Sequence, residues 1–297
     1  MRTAVIVSIL ILVTLLAAVV IRFTTTGTRG DDKTEANSHR GTADDPKGRI
    51  TANTRWDVPE VLEEISGIDY LEVNRFACIQ DEAGKVFIYN TAEKKIEKEI
   101  SFGESGDYED LAVAGKSIFV LRADGRLFEI RNYQESSPEI REHNAQLSGY
   151  DSEGLCYDRK GNRLLLAVKE LKGDQDQNQR PVYAFDLKSR KISGRPVFQI
   201  DLTHNIFKDL DEKKTSNRLK PSAIEIHPQT GDIYLLEGAK PKLLILDPAG
   251  QPKALHDLKG KDFKQPEGMA FSPEGTLFIC SEGSKNNAGN IVQVSAR

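Results

Sequence analysis

The chain has 297 residues, with 41 Lys+Arg against 45 Asp+Glu and a formal net charge of −4. That near balance lacks the basic excess of a nucleic-acid binder, so no nucleic-acid partner is expected. At 38% hydrophobic and 29% charged, the chain can fold around a core, and 3 cysteines without a Cys-x-x-Cys pair exclude a disulfide framework and a structural zinc site.

Ala4 to Ile21 is almost unbroken apolar sequence, interrupted by Ser8 and Thr14. A membrane-spanning helix needs roughly 20 such residues. The run is longer than the apolar core of a cleaved signal, no small-x-small site follows it, and no Cys follows to carry a lipid. It predicts a transmembrane signal anchor over residues 1–23, with a cleaved signal peptide as the alternative. Residues 24–54 are rich in Thr, Gly, Asp, Lys and Arg, with Ile50 the one large apolar residue, and predict a flexible stalk. Arg22, Arg29 and Lys33 beyond the run, by the positive-inside rule alone, favour a cytoplasmic domain. A very short N-terminal tail before a long domain is instead the pattern of export. The expectation is a single-pass protein of the plasma (inner) membrane, with residues 55–297 on the extracytoplasmic, periplasmic side.

Beyond the stalk one motif recurs five times: Ile65-Ser66-Gly67-Ile68-Asp69-Tyr70, Tyr108-Glu109-Asp110-Leu111-Ala112-Val113, Ser152-Glu153-Gly154-Leu155-Cys156-Tyr157, Pro221-Ser222-Ala223-Ile224-Glu225-Ile226 and Pro266-Glu267-Gly268-Met269-Ala270-Phe271. Aligned on Ile68, Leu111, Leu155, Ile224 and Met269, the spacings are 43, 44, 69 and 45. Each copy leads into a turn (Asn74-Arg75, then turns containing Gly115, Gly161, Gly231 and Gly275) and two further short apolar runs. Short β-rich runs with a period in the forties predict an all-β, five-bladed β-propeller. The long interval is absorbed by two polar insertions, Lys172–Arg180 and Lys208–Lys220, although a degenerate sixth blade between Gly194 and Lys220 is an alternative. The last repeat ends at its third strand, so Arg55–Val58, with the only tryptophan, is expected to supply the outer strand of the last blade and close the ring.

With these repeats the chain resembles the SdiA-regulated (YjiK-type) bacterial proteins. The resemblance is carried by Glu64-Ile65-Ser66-Gly67-Ile68, Ser152–Asp158, Leu166-Ala167-Val168-Lys169-Glu170, His227–Tyr234 and Gln265–Phe271. It implies a five-bladed propeller at the cell envelope, with a link to calcium in some relatives, and no known reaction.

The residue before the Gly, Asp or Ala of each motif forms a column: Ser66, Glu109, Glu153, Ser222 and Glu267. The innermost strands of a propeller surround its axis, so three of these carboxylates would converge there and repel unless protonated or neutralised by a cation. Calcium accepts six to eight oxygen ligands in a tolerant geometry. The predicted metal-binding set is therefore Glu109, Glu153, Glu267 and Glu282. The opposing expectation is that these carboxylates accept backbone N–H bonds and only brace the blades. Glu282 belongs to a second acidic set after the apolar second strands, with Asp81, Glu82, Glu170 and Glu237, which either rings one mouth of the channel or consists of solvated turn residues; for Glu82 and Glu237 the turn reading is the simpler one.

No nucleophile elbow, zinc-protease helix, phosphate loop or dinucleotide fingerprint occurs. His143 and His204 are assigned to loops and His227 to a structural turn. Cys78, Cys156 and Cys280 fall in apolar strands, as small hydrophobes. The function expected is a non-catalytic, membrane-tethered module that binds a protein or small-molecule ligand, with calcium in its channel. The alternatives are a calcium-dependent hydrolase of esters, lactones or phosphoesters, and a purely structural envelope module.

Overall fold

The computed structural model describes residues 50–145, 147, 150–173, 175–285 and 287–296. The apolar run from Ala4 to Ile21 lies outside them. Among the described residues no helix is long and apolar enough to cross a membrane.

Strand β1 (Ile50–Asp57) comes first. Blade one is β2 (Ile65–Glu72), β3 (Arg75–Gln80), β4 (Lys85–Asn90) and β5 (Lys95–Ser101), and blade two is β6 (Tyr108–Ala114), β7 (Ser117–Arg122), β8 (Arg126–Arg131) and β9 (Glu139–Asn144). Blade three is β10 (Tyr150–Asp158), β11 (Arg163–Leu171), β12 (Gln179–Asp186), β13 (Lys191–Ile192) and β14 (Phe198–Asp201). Blade four is β15 (Ala223–Ile226), β16 (Ile233–Glu237), β17 (Lys242–Leu246) and β18 (Pro252–Asp257), and blade five opens with β19 (Pro266–Phe271), β20 (Leu277–Ser281) and β21 (Asn290–Ala296). Five separate antiparallel sheets result, and no sixth blade lies in the long interval. The first polar insertion runs from the end of β11 into β12, which takes its last two residues, Gln179 and Arg180, and the second, Lys208–Lys220, lies between β14 and β15.

Strand β1 pairs antiparallel with β21, from Ile50 opposite Ala296 to Asp57 opposite Asn290, so the ring closes as expected. The strand takes in Ile50 to Thr54, which composition alone assigned to the stalk. The reason is Ile50, which is buried in the apolar cluster between blades four and five. Trp56 packs on Phe278 of blade five, with ring centroids 6.3 Å apart.

Alternation along each strand sends apolar side chains to both faces of a blade, and each face meets a neighbouring blade. Five apolar clusters follow, one in each gap between successive blades. Full burial of one Val, Leu, Ile or Phe contributes about 1.5–3 kcal/mol, so the gaps hold the ring together. The inner strands β2, β6, β10, β15 and β19 contact one another in turn and return to β2. Their close approach explains the small motif residues: a Cβ on Gly268 would stand 2.9 Å from the Cα of Gly67. At the turn after β10, the left-handed conformation falls on Asn162, with φ of 47°, rather than on its neighbour Gly161.

Candidate functional site

Four of the five inner strands begin with an irregularity in register. On β2 pairing jumps from Ile65 to Gly67, on β6 from Tyr108 to Asp110, on β10 from Ser152 to Gly154 and on β19 from Pro266 to Gly268. The skipped residues are Ser66, Glu109, Glu153 and Glu267. A β-bulge re-aims the side chain of its extra residue, so one backbone device, repeated around the ring, presents the column found in the sequence. Ser222 occupies the same place just ahead of β15.

The column divides by residue type. The two serines stitch blades: the Ser66 hydroxyl donates to the Tyr108 carbonyl at 2.8 Å and the Ser222 hydroxyl to the Pro266 carbonyl at 3.1 Å. The glutamates form an electrostatic cluster with Glu282, which follows β20. Burial first, then the Glu153 carboxylate, pushes Glu109 up to about 9. Burial first, then Glu282 and Glu153, pushes Glu267 up to about 8. Burial, reinforced by Asp81 and Glu64, raises Glu282 to about 7. Glu153 is 6% exposed and its pKa rises to about 7 through burial, held down by Lys169.

Lys169 lies outside the repeated motif and outside the acidic column. It lies on β11 at a register shift of its own, since Asp151 faces Glu170 while Ser152 faces Val168. Its ammonium is ion-paired with Glu153, and Glu153, Glu267 and Glu109 all raise its pKa against the effect of burial. One ammonium thus stands among four carboxylates at this end of the channel. Its signal in the sequence was present in Leu166-Ala167-Val168-Lys169-Glu170: a lysine continuing an apolar second strand where the other blades carry Asp81, Ala123, Gly238 or Glu282.

A second acidic set lies farther along the inner strands. Asp110 accepts the N–H of Leu111 at 2.8 Å and that of Leu155 in the next blade at 2.7 Å. Asp69 accepts the N–H of Tyr70 at 2.7 Å and that of Val113 in the next blade at 2.6 Å, and Glu225 that of Ile226 at 2.7 Å. The bracing role expected of the Glu column therefore belongs to these residues. Burial raises Asp69 to about 7 despite its two N–H bonds, and raises Asp110 and Glu225 well above the carboxylate range, with Asp69 adding repulsion on each.

The remaining candidates separate cleanly. Glu237 is no solvated turn residue: it is 2% exposed and pairs with the buried Lys242 at 2.7 Å. Glu170 pairs with Lys220, whereas Asp81 is half-buried and contributes to the field at Glu282. His143 lies in strand β9, not a loop, and contacts the buried Glu129 at 2.8 Å. His204 accepts the N–H of Ile206, and His227 packs edge-on to Phe271. The three cysteines are buried in strands, and burial pushes their thiols up, which disfavours the nucleophilic thiolate.

Calcium does not fit this arrangement as it stands. Among the described residues no three carboxylate, imidazole or thiol groups are placed to share a metal ion, and the Lys169 ammonium already pairs with Glu153. The cluster as built suits protons and an ammonium group.

The family model described as SdiA-regulated matches residues 47–285. No curated protein matches the chain. Among solved structures, glutaminyl cyclase of Myxococcus xanthus superposes with a TM-score of 0.58 at 14% identity, covering 84% of this chain and 96% of that one. A Bacteroides thetaiotaomicron protein of unknown function gives a TM-score of 0.50 at 13% identity, covering 78% and 58%. The calcium-binding protein regucalcin of Agrobacterium tumefaciens gives 0.47 at 12%, covering 84% and 95%. At these identities the likeness is one of fold.

Proposed function

The chain belongs to the SdiA-regulated family, and from that premise we propose that it is a ligand-binding module of the cell envelope which captures a cation at the acidic mouth of its channel. The observation that supports this is the cluster of Glu109, Glu153, Glu267 and Glu282 around the single ammonium of Lys169. Carboxylates pushed to between about 7 and about 9 hold protons near neutral pH. An arriving cation replaces those protons and compensates both the burial and the repulsion that raised them. The group already held there is an ammonium, so a ligand bearing an organic amine is the better match. Calcium would require Lys169 to leave and the carboxylates to draw together.

The apolar run from Ala4 to Ile21 supplies the tether, with the propeller on the extracytoplasmic side. Protease accessibility in intact spheroplasts tests that placement, and full protection of the propeller would refute it.

Binding is tested by calorimetry on the full-length chain in mild detergent, in two buffers of different ionisation enthalpy. The arms are a polyamine, calcium, and magnesium as control. Saturable polyamine binding with proton release, weakened by Glu267→Gln, supports the amine reading. Calcium-selective binding would move the assignment to a metal, and no binding in any arm would sink the proposal.

A further inference from the structure

The two polar insertions of the long interval are not idle spacers. The segment between β11 and β12 and the segment between β14 and β15 face each other across a cavity of about 370 Å³. Among the described residues it is lined by Arg180, Lys213, Lys214 and Lys220, with Glu170 the single carboxylate, and by the polar side chains of Gln177, Ser216 and Asn217. Glu170 is ion-paired with Lys220, so among the described residues three cations of the lining have no carboxylate of their own in the cavity.

Arg180 is the informative one. It is 1% exposed, the largest fully buried side chain described. Its guanidinium donates to the carbonyls of Leu219 at 3.0 Å, Gln177 at 3.2 Å and Gln179 at 2.9 Å, and also to that of Ser216. All four acceptors are neutral backbone groups. The nearby carboxylates act from a distance: Glu170 and Glu237 favour the charged form, yet burial outweighs them and its pKa is lowered. Glu237 is committed to Lys242, and Glu170 to Lys220. Among the described residues no carboxylate contacts Arg180; a buried cation so placed is costly, and the cost falls when an anion arrives.

We infer that this cavity is a binding site for a small molecule bearing a phosphate group, distinct from the channel mouth and formed by the two insertions. The excess of positive charge suits a dianion more than a single carboxylate. The volume lies at the lower end of the range for small-molecule sites, so there is room for an organic part beside the phosphate. Exposed Lys213 and Lys214 act as the collecting arms, and buried Arg180 fixes the frame by tying the two insertions together through their carbonyls.

The test is calorimetry and thermal melting of the full-length chain in mild detergent with three probes: inorganic phosphate, glycerol 3-phosphate and citrate, each against sodium chloride at matched ionic strength. The comparison variant is Lys213→Glu/Lys214→Glu, which changes exposed residues and leaves the core untouched. The expected result is saturable binding of glycerol 3-phosphate, with affinity about tenfold or more lower in the variant. Phosphate binding as tightly as its ester would place a free anion in the site and overturn the organic part. Preference for citrate would overturn the phosphate assignment. Equal effects of all probes and chloride, or a variant that binds like the wild type, would overturn the site. The variant's melting in chloride alone reports whether it is folded, and Lys213→Gln/Lys214→Gln repeats the comparison if it is not.

Discussion

Asp110 of blade two accepts the backbone N–H of Leu155 in blade three at 2.7 Å, while its other oxygen takes the N–H of Leu111 at 2.8 Å. A side chain of one inner strand thereby completes the open edge of the next. Those edges face the axis, where no further strand can pair with them, and an unpaired buried N–H is expensive. Asp69 does the same for Val113. The acidic residues of the inner strands are thus, in part, substitutes for missing sheet neighbours.

Asp110→Asn should therefore destabilise the propeller although the shapes match. An amide offers one accepting oxygen, and its NH₂ would confront a backbone N–H. Loss of a buried acceptor costs about 1–3 kcal/mol. The melting temperature should fall at pH 6 and pH 8 alike, and an unchanged value would show that the bond to Leu155 contributes nothing.

The channel-mouth glutamates predict a different, pH-dependent signature. A carboxylic acid whose folded pKa exceeds its unfolded value contributes its stability fully below the unfolded pKa and loses it as pH rises through the folded one. Glu109 is raised from 4.5 to about 9. Its contribution therefore declines across that window, and the wild-type melting temperature should fall from pH 5 toward pH 9. Glu109→Gln should flatten the profile and melt higher at pH 8, by about 2–4 °C for each kcal/mol recovered. A variant that melts lower at pH 8 would mean that the charged form is the one the fold wants.

Lys169 carries the opposite sign. It lowers Glu153, Glu109, Glu267 and Glu282. Lys169→Gln removes that restraint, so the four carboxylates bind protons still more tightly in the folded state. The variant should be near wild type at pH 5, where the acids are neutral in both, and progressively less stable by pH 8. Thermal melts at the two pH values check this, and an equal loss at both would assign Lys169 a packing role only.

How much of this was legible beforehand follows from where each signal sits. The five blades and the Glu column were readable because they repeat, and repetition separates a pattern from composition; the ring closure was readable because the last repeat lacks its outer strand. Lys169 was not, because it is unique to one blade and gains its role from a register shift that no periodicity reveals. Asp69 and Glu225 share one offset in the quoted motifs, directly after the aligned apolar residue, but Asp110 precedes it, so the three do not form one column. Glu237 looked like a turn residue because its partner Lys242 lies across a tight hairpin, where two charges in sequence read as solvent-facing. The basic cavity was invisible for another reason: Arg180 lies at the start of β12 and Lys213 in the insertion before β15, and only the fold brings them together.

The closing strand gives the last prediction. Without β1, β21 would present its outer edge to solvent, and the apolar gap on either side would lose Ile50 or Trp56. More than sheet pairing is at stake: Arg55 reaches Asp262 at 3.1 Å, and the Tyr89 hydroxyl of blade one donates to the Asp57 carbonyl at 3.1 Å. Strand β1 therefore ties blade five to the loop before it and to blade one after it. A chain beginning at Arg49 should melt in one cooperative transition, whereas one beginning at Val58 should give a broad, low melt and aggregate along the freed edge. Adding back a peptide of residues 49–57 should restore cooperativity, because strand pairing needs register and side chains rather than chain continuity. If the shorter chain melts like the longer one, closure is decorative and the inner ring alone holds the blades.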